Sequence, residues 1–336
     1  MVVRRDFAEP ERFERIVRAA LGRGRRLTGV ERLRGGSKKG VYRLTFDDES
    51  TAVSYVWDAT ENYWPARPND AGEDRADPFS DASGVELFQA SQARLAELGV
   101  RTPAVYWCDR SRTDFPADIA LVEDVSGGTL EARLERGTPG MRPVLALLGE
   151  SLTAMHQHRG PRWGKLAWAA GDGAGDGPAD GRSCEQIVLD RALADLAESA
   201  GRVSRVAAAR DRLEDVARKL MAAVQPRTRY GLIHGELGPD HVLIDRHGRP
   251  VMIDIEGAMY FDIEWEHAFL QLRFGEHYRQ LRADNLDRQR MRFYRLALHL
   301  SLIAGPLRLL DGDFPDRELM RQIAEHNIDR ALAFLP

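Results

Sequence analysis

The stretch from Tyr230 to Glu256 limits the possible folds more than any other part of the chain. Three apolar runs, Tyr230–Ile233, Val242–Ile244 and Val251–Ile255, are too short for helices and read as strands. Between the first two lies a polar loop, His234-Gly235-Glu236-Leu237-Gly238-Pro239-Asp240-His241, and the third run carries Asp254 near its end. A carboxylate ending an apolar strand has little packing reason to exist. The expected layout presents Glu236, His241 and Asp254 from rigid β elements into one cleft. Phosphoryl transfer needs such parts: a carboxylate to accept or orient a hydroxyl proton, and two ligands for a metal ion on the phosphates.

The rest of the chain sorts into a β-rich first third and an α-rich remainder. Pro10–Leu21 has the spacing of a short amphipathic helix. Leu27–Leu33, Val41–Phe46 and Thr51–Trp57 read as strands, with a Gly/Ser/Lys loop, Gly35-Gly36-Ser37-Lys38-Lys39-Gly40, between the first two. Asp58–Ser83 holds three prolines and no periodicity, so a long loop is expected. Gly84–Leu98 is helical and ends at Gly99; Val105–Cys108 and Ile119–Val122 complete a five-stranded sheet. Pro143–His158, Ser183–Glu198 and Val206–Val224 are expected helices, and Gly171–Gly181 a loop. The class is therefore α+β in two lobes joined near residue 124, with residues 1–124 as the N-terminal lobe and 125–336 as the C-terminal lobe.

Composition excludes several partners. With 48 basic and 52 acidic residues the net charge is −4, which gives no basic field for nucleic acid or an anionic membrane. No run of about 18 apolar residues occurs, and the first residues lack the apolar core of a signal peptide, so a cytoplasmic location is expected. The two cysteines, Cys108 and Cys184, lie far apart and outside metal-type spacings, as free thiols in a reducing compartment would.

The run "IHGELGPDHVLID…VMIDIEGAMYFDIEWEHAFL" resembles the aminoglycoside phosphotransferase family, small-molecule kinases related to the protein kinases. Weaker matches flank it: Val41-Tyr42-Arg43-Leu44 after the Gly/Ser loop, Leu121–Val125 as an inter-lobe hinge, and Leu147–His156. The resemblance covers roughly residues 27 to 275. It implies a protein-kinase-like two-lobe fold, ATP or GTP as phosphoryl donor, Mg²⁺, and a small hydroxyl-bearing acceptor, a polar metabolite or an antibiotic. Carried over by position, Glu236 falls at the catalytic acid and His241 and Asp254 at the two metal ligands. Asp262 and Glu266 fall on two carboxylates that brace the catalytic loop. Ser37, Lys38 and Lys39 cover the phosphates, Glu86 pairs with a phosphate-binding lysine, and the backbone of Glu123 and Val125 holds the base.

Three departures from the family pattern matter. Glu236 stands for Asp, which moves the carboxylate by about 1.5 Å; misplacements near 1 Å can cost on the order of 100-fold in rate. His241 stands for Asn, as in the macrolide kinases that this position resembles, and imidazole suits softer metals than Mg²⁺. The strand Thr51–Trp57 lacks the lysine that reaches the α- and β-phosphates. The chain has four lysines, Lys38, Lys39, Lys165 and Lys219, of which only the first two lie in the loop expected over the phosphates. Lys38 or Lys39 is the expected substitute, and two solvated loop cations are the alternative. An active kinase is thus expected first, a catalytically impaired nucleotide-binding module second, and a kinase fold reused for another transfer third. Glu256 is left open as metal ligand, orienting group or solvated acid. Tyr63 and Trp64 either stack on substrate or pin their loop.

Overall fold

The computed structural model describes residues 5, 8–22, 24–65, 77–80, 83–169 and 181–336. The chain divides into two compact units, one comprising Met1–Trp64, Asp81–Gly137 and Asp240–Glu256, the other Pro65–Ser80, Thr138–Pro239 and Gly257–Pro336. The expected loop Gly171–Gly181 lies, except for Gly181, outside the described residues, as does much of 66–82.

The first unit is built on an antiparallel sheet of five strands: β1 (Leu27–Arg32), β2 (Gly40–Phe46), β3 (Thr51–Trp57), β4 (Val105–Asp109) and β5 (Asp118–Glu123), in the order β1-β2-β3-β5-β4. Alternation along β2 buries Tyr42, Leu44 and Phe46, and these meet Phe13, Ile16 and Val17 of the helix Pro10–Leu21. Proline opens that helix, where its missing N–H costs nothing. Every residue of β3 after Thr51 is buried, as a central strand covered on both faces requires.

The three apolar runs of the central motif part company. Val242–Ile244 and Pro250–Met252 pair as a short antiparallel hairpin within the first unit, bridged by Thr129 opposite Leu243. Tyr230–Ile233 instead joins Met259–Phe261, Arg159–Gly160 and Gly164–Lys165 in a four-stranded sheet of the second unit. The last expected strand stops at Met252, and Ile255–Gly257 is a 3-10 turn. The cause is Asp254, whose φ of 60° breaks the extended backbone.

The second unit also holds six helices of twelve or more residues, Met141–Gln157, Cys184–Ala200, Arg210–Ala222, Ile263–Phe274, Arg288–Asp311 and Arg317–Leu332, of which Met141–Gln157 and Ile263–Phe274 pack on Tyr230–Ile233. The expected helix Val206–Val224 is split, with Ser204–Ala207 separate from Arg210–Ala222. Arg288–Asp311 is buried around most of its circumference and is the central helix, which is why its sequence lacks a single apolar stripe. Among the described residues no helix is long and apolar enough to cross a membrane.

Candidate active site

Lys39 ends the Gly/Ser/Lys loop immediately before β2 and is buried, 7% exposed. Its Nζ donates to Asp254 Oδ1 at 2.8 Å and to Glu256 Oε1, and lies 4.9 Å from the centroid of the Tyr55 ring. Trp57 Nε1 donates to the same Glu256 Oε1 at 3.2 Å. So β3, which has no lysine, supplies a ring face and an indole N–H around the ammonium instead. Burial pulls the Lys39 ammonium down, but Asp254 and then Glu256 outweigh it and hold the ammonium well above its ordinary range. Burial also pushes the Tyr55 hydroxyl up.

Asp254 itself sits in the left-handed region, where a residue other than glycine gives up about 1 kcal/mol or more. Such strain persists only where neighbours hold it. The holding contacts are here: Lys39 on one carboxylate oxygen, and Ile253 N donating to His241 O at 3.0 Å. That backbone bond sets the two segments side by side, with His241 Nε2 3.7 Å from Asp254 Oδ2 and 3.7 Å from Asp240 Oδ2. One imidazole nitrogen and one carboxylate form a small donor set, and no group of three or more His, Cys, Asp or Glu able to hold a metal occurs among the described residues. The carboxylate is a donor of the kind Mg²⁺ takes, beside phosphate oxygens and water, whereas the imidazole suits softer metals, and the pair is too small to hold an ion by protein alone.

The loop before Lys39 is shaped by close approach. A Cβ on Gly36 would lie 2.4 Å from Lys39 O, and one on Gly40 would lie 2.6 Å from Glu61 Cδ. Glu61 is 1% exposed, accepts from Arg32 at 2.8 and 3.1 Å, and accepts from the Tyr42 hydroxyl. Trp64 Nε1 donates to Ser37 Oγ at 3.0 Å, and Tyr63 N donates to Ser37 O at 2.8 Å. Tyr63 and Trp64 therefore pin this loop. The two loop lysines diverge: Lys39 points to the acids, while Lys38 Nζ lies 5.9 Å over the Trp64 ring.

The remaining expected residues of the first unit fall elsewhere. Glu86 is exposed and pairs with Arg110 at 2.7 Å; the carboxylates on Lys39 are Asp254 and Glu256. Glu123 closes β5, where its side chain bonds Arg101 and its backbone N donates to Ala104 O at 2.8 Å. Val125 is buried.

Glu236 belongs to the second unit and is exposed on its loop. Glu266, fully buried, accepts the backbone N–H groups of His234 and Gly235. Burial outweighs those donors and raises its carboxyl to about 7. Asp262, expected to brace the same loop, bonds Arg290 and Tyr294 instead. Arg290 also pairs with Glu185 and donates to Gln225 O, so it ties three segments together inside the helical unit.

Sequence reasoning did not find Glu61 or Trp57. Glu61 is one of several acids in a polar stretch and carries no spacing signal; Trp57 reads as one more apolar residue of a strand. Both matter because of the strand register, which pairs Gly40 with Val56 and so sets the residue before Gly40 beside the end of β3.

A sheet-bearing unit and a helical unit make a two-lobe α+β fold of the protein-kinase type. The chain belongs to the APH phosphotransferase enzyme family, whose model matches residues 30–300. Among solved structures, a thermostable mutant of aminoglycoside phosphotransferase APH(4)-Ia is similar, with a TM-score of 0.60 and 17% identity over 94% of this chain and 98% of that one. Choline kinase LicA from Streptococcus pneumoniae is similar as well, with a TM-score of 0.60 and 13% identity over 96% of this chain and 97% of that one. No curated protein matches the chain.

Proposed function

We propose that the chain is a nucleotide-dependent kinase that phosphorylates a hydroxyl of a small polar metabolite or antibiotic. The observation that carries this reading is the contact of buried Lys39 with Asp254 and Glu256. It supplies the cation that β3 lacks and sets it on the acid expected to bind metal. Residues 1–124 would form the nucleotide-binding lobe and 125–336 the catalytic lobe. ATP or GTP would lie with its phosphates under Ser37, Lys38 and Lys39 and its base against the backbone of Glu123 and Val125. Two similar structures support a nucleotide: APH(4)-Ia in a ternary complex with AMP-PNP and hygromycin B, and LicA in complex with AMP.

His241 and Asp254 would hold Mg²⁺, which neutralises charge on the transferring phosphoryl group when bound. Lys39 adds a fixed charge already desolvated by the protein, so it needs little reorganisation when phosphates arrive. Glu236 would accept or orient the acceptor hydroxyl proton. Its exposure suits a group that must meet a substrate, and the Glu266 bonds to His234 and Gly235 fix the backbone that carries it. Glu256 keeps Lys39 in place rather than touching substrate.

Glu236→Ala should lose turnover while nucleotide still binds, and Lys39→Ala should weaken nucleotide binding at least tenfold while Lys38→Ala has a smaller effect. Calorimetry with ATP and GTP, and phosphorylation of candidate acceptors read as a mass gain, check both. Full turnover in Glu236→Ala removes its role. Unchanged nucleotide affinity in Lys39→Ala removes the phosphate-binding assignment. A second reading, a nucleotide-binding module without turnover, is favoured by one feature: Lys39 is already saturated by two carboxylates. Binding without turnover of any acceptor selects it.

A further inference from the structure

A cavity of about 430 Å³ in the second unit is lined by Arg159, Arg227, Arg229 and Ile263. Three guanidinium groups around one hollow repel one another unless something compensates them. Arg227 is compensated: its fork takes Glu264 at 2.5 and 2.7 Å, and Asp262 lies 3.7 Å away. The Tyr230 hydroxyl also donates to Arg227 O at 2.7 Å, which fixes the backbone there. The side chains of Arg159 and Arg229 form no hydrogen bond or ion pair among the described residues. Both carboxylates near the cavity are therefore spent on other arginines, Glu264 on Arg227 and Asp262 largely on Arg290.

The backbone keeps the hollow open. Arg159 pairs with Gly231 across the sheet, and a Cβ on Gly231 would lie 2.5 Å from Ile263 Cγ2 and 3.2 Å from Arg159 Nη1. Glycine at this position leaves the guanidinium room to cross the strand. Ile263 is the first residue of the helix Ile263–Phe274, whose N-cap residue Asp262 makes no side-chain capping bond. The positive end of that helix adds to the arginines.

We infer that this cavity binds a small phosphomonoester. Arginine forks match the planar, multi-oxygen face of a phosphate, and two of them here have no other partner. The volume is within the ordinary range for small-molecule sites and has room for a phosphate with the group that bears it. Along the strand Tyr230–Ile233, His234 lies five residue steps beyond Arg229, roughly 16 Å at strand rise. The site is thus separate from the loop of Glu236 and does not depend on the kinase reading.

The test is calorimetric titration of the full chain with glycerol 2-phosphate, inorganic phosphate and glycerol. Three proteins are compared: the parent, Arg159→Gln/Arg229→Gln, and Lys39→Ala. Both substituted arginines are exposed and unpaired, so the double variant should fold as the parent does. Both anions are expected to bind the parent and Lys39→Ala alike, glycerol to give no heat, and the double variant to bind at least tenfold more weakly. No binding of either anion at millimolar concentration overturns the inference. So does full affinity in the double variant, loss of affinity in Lys39→Ala, or binding of inorganic phosphate without the ester.

Discussion

Replacing Lys39 by methionine tests the ion cluster most directly. The lysine side chain is 8% exposed and that of Glu256 is 4% exposed, whereas Asp254 is 44% exposed. Methionine keeps the volume but leaves two carboxylates facing each other without a cation. Removing one partner of a buried pair typically costs about 3–5 kcal/mol. Water reaches Asp254 and screens its share, so Glu256 carries most of the penalty and the lower end, about 3 kcal/mol, is expected. Replacing Glu256 by leucine in the same molecule removes the stranded charge and leaves Trp57 Nε1 without its acceptor, a loss of about 1 kcal/mol. The double variant Lys39→Met/Glu256→Leu should therefore be about 2 kcal/mol more stable than Lys39→Met alone. Urea unfolding of the parent, both single variants and the double variant, followed by near-ultraviolet circular dichroism, closes the cycle. Strict additivity of the two single changes, or a cost below about 1 kcal/mol for Lys39→Met, would refute the argument that these side chains form a buried electrostatic unit.

Other consequences can be checked on the same protein. Asp254→Asn keeps a residue that tolerates positive φ and an oxygen for Lys39, so stability should change by less than about 1 kcal/mol in urea titrations while turnover disappears. Gly40→Ala drives a methyl into Glu61 and Tyr42 and should cost about 1–3 kcal/mol, seen as a lowered thermal midpoint. Arg290→Met strands Asp262 and Glu185 in the helical unit and should cost about 3–5 kcal/mol by the same measurement. Burial holds His156 down to about 3 and His267 to about 4, so both are neutral when folded and take up protons on unfolding. Their contribution is complete above the unfolded value of 6.5 and falls with pH below it, by about 1.4 kcal/mol each near pH 5.5. Glu266, raised to about 7, acts in the opposite sense: the folded state holds the extra proton above 4.5, and stability falls as pH rises toward and through 7. The parent should change by only about 1 kcal/mol between pH 5.5 and 7.5, and Glu266→Gln should gain about 3 kcal/mol over that range in urea titrations. A flat profile in Glu266→Gln contradicts this assignment.

Local pattern made most of the fold legible. Strand periodicity located the five-stranded sheet to within a residue or two, and helical spacing found Val85–Glu97, Met141–Gln157 and Cys184–Ala200. It failed where local and tertiary preferences diverge. Val251–Ile255 reads as one apolar strand, yet the backbone turns at Asp254 because contacts from Lys39 and His241 hold a conformation that no local preference favours. Arg288–Asp311 lacks the one-sided apolar pattern of a surface helix because most of its circumference meets protein. At the candidate site, the motif identified Asp254 and His241 as neighbours but not Glu256 as the second acid on Lys39. That contact joins residues 217 positions apart, and no spacing rule spans such a separation.

The register of β2 on β3 explains how Lys39, rooted just before β2, comes to lie against the end of β3. Gly40 pairs with Val56 and Val41 with Tyr55, so the residue preceding Gly40 lies beside Trp57 at the end of β3. Paired strands run about 4.8 Å apart. A side chain rooted at that point in the neighbouring strand needs to cross little more than one such spacing to reach the position a β3 side chain would occupy, and lysine has the length and flexibility to do so. The aromatic residues then become intelligible. Tyr55 offers a ring face to the ammonium and Trp57 gives Glu256 an N–H, so that the buried charge and its acid both have partners. By this logic a lysine returned to β3 at Trp57 would compete with Lys39 for Asp254 and Glu256, and the Trp57→Lys variant should regain nucleotide affinity only when Lys39 is also removed. Equal affinity of Lys39→Met and Lys39→Met/Trp57→Lys for nucleotide would show that the position on β3, and not only the charge, has been given up.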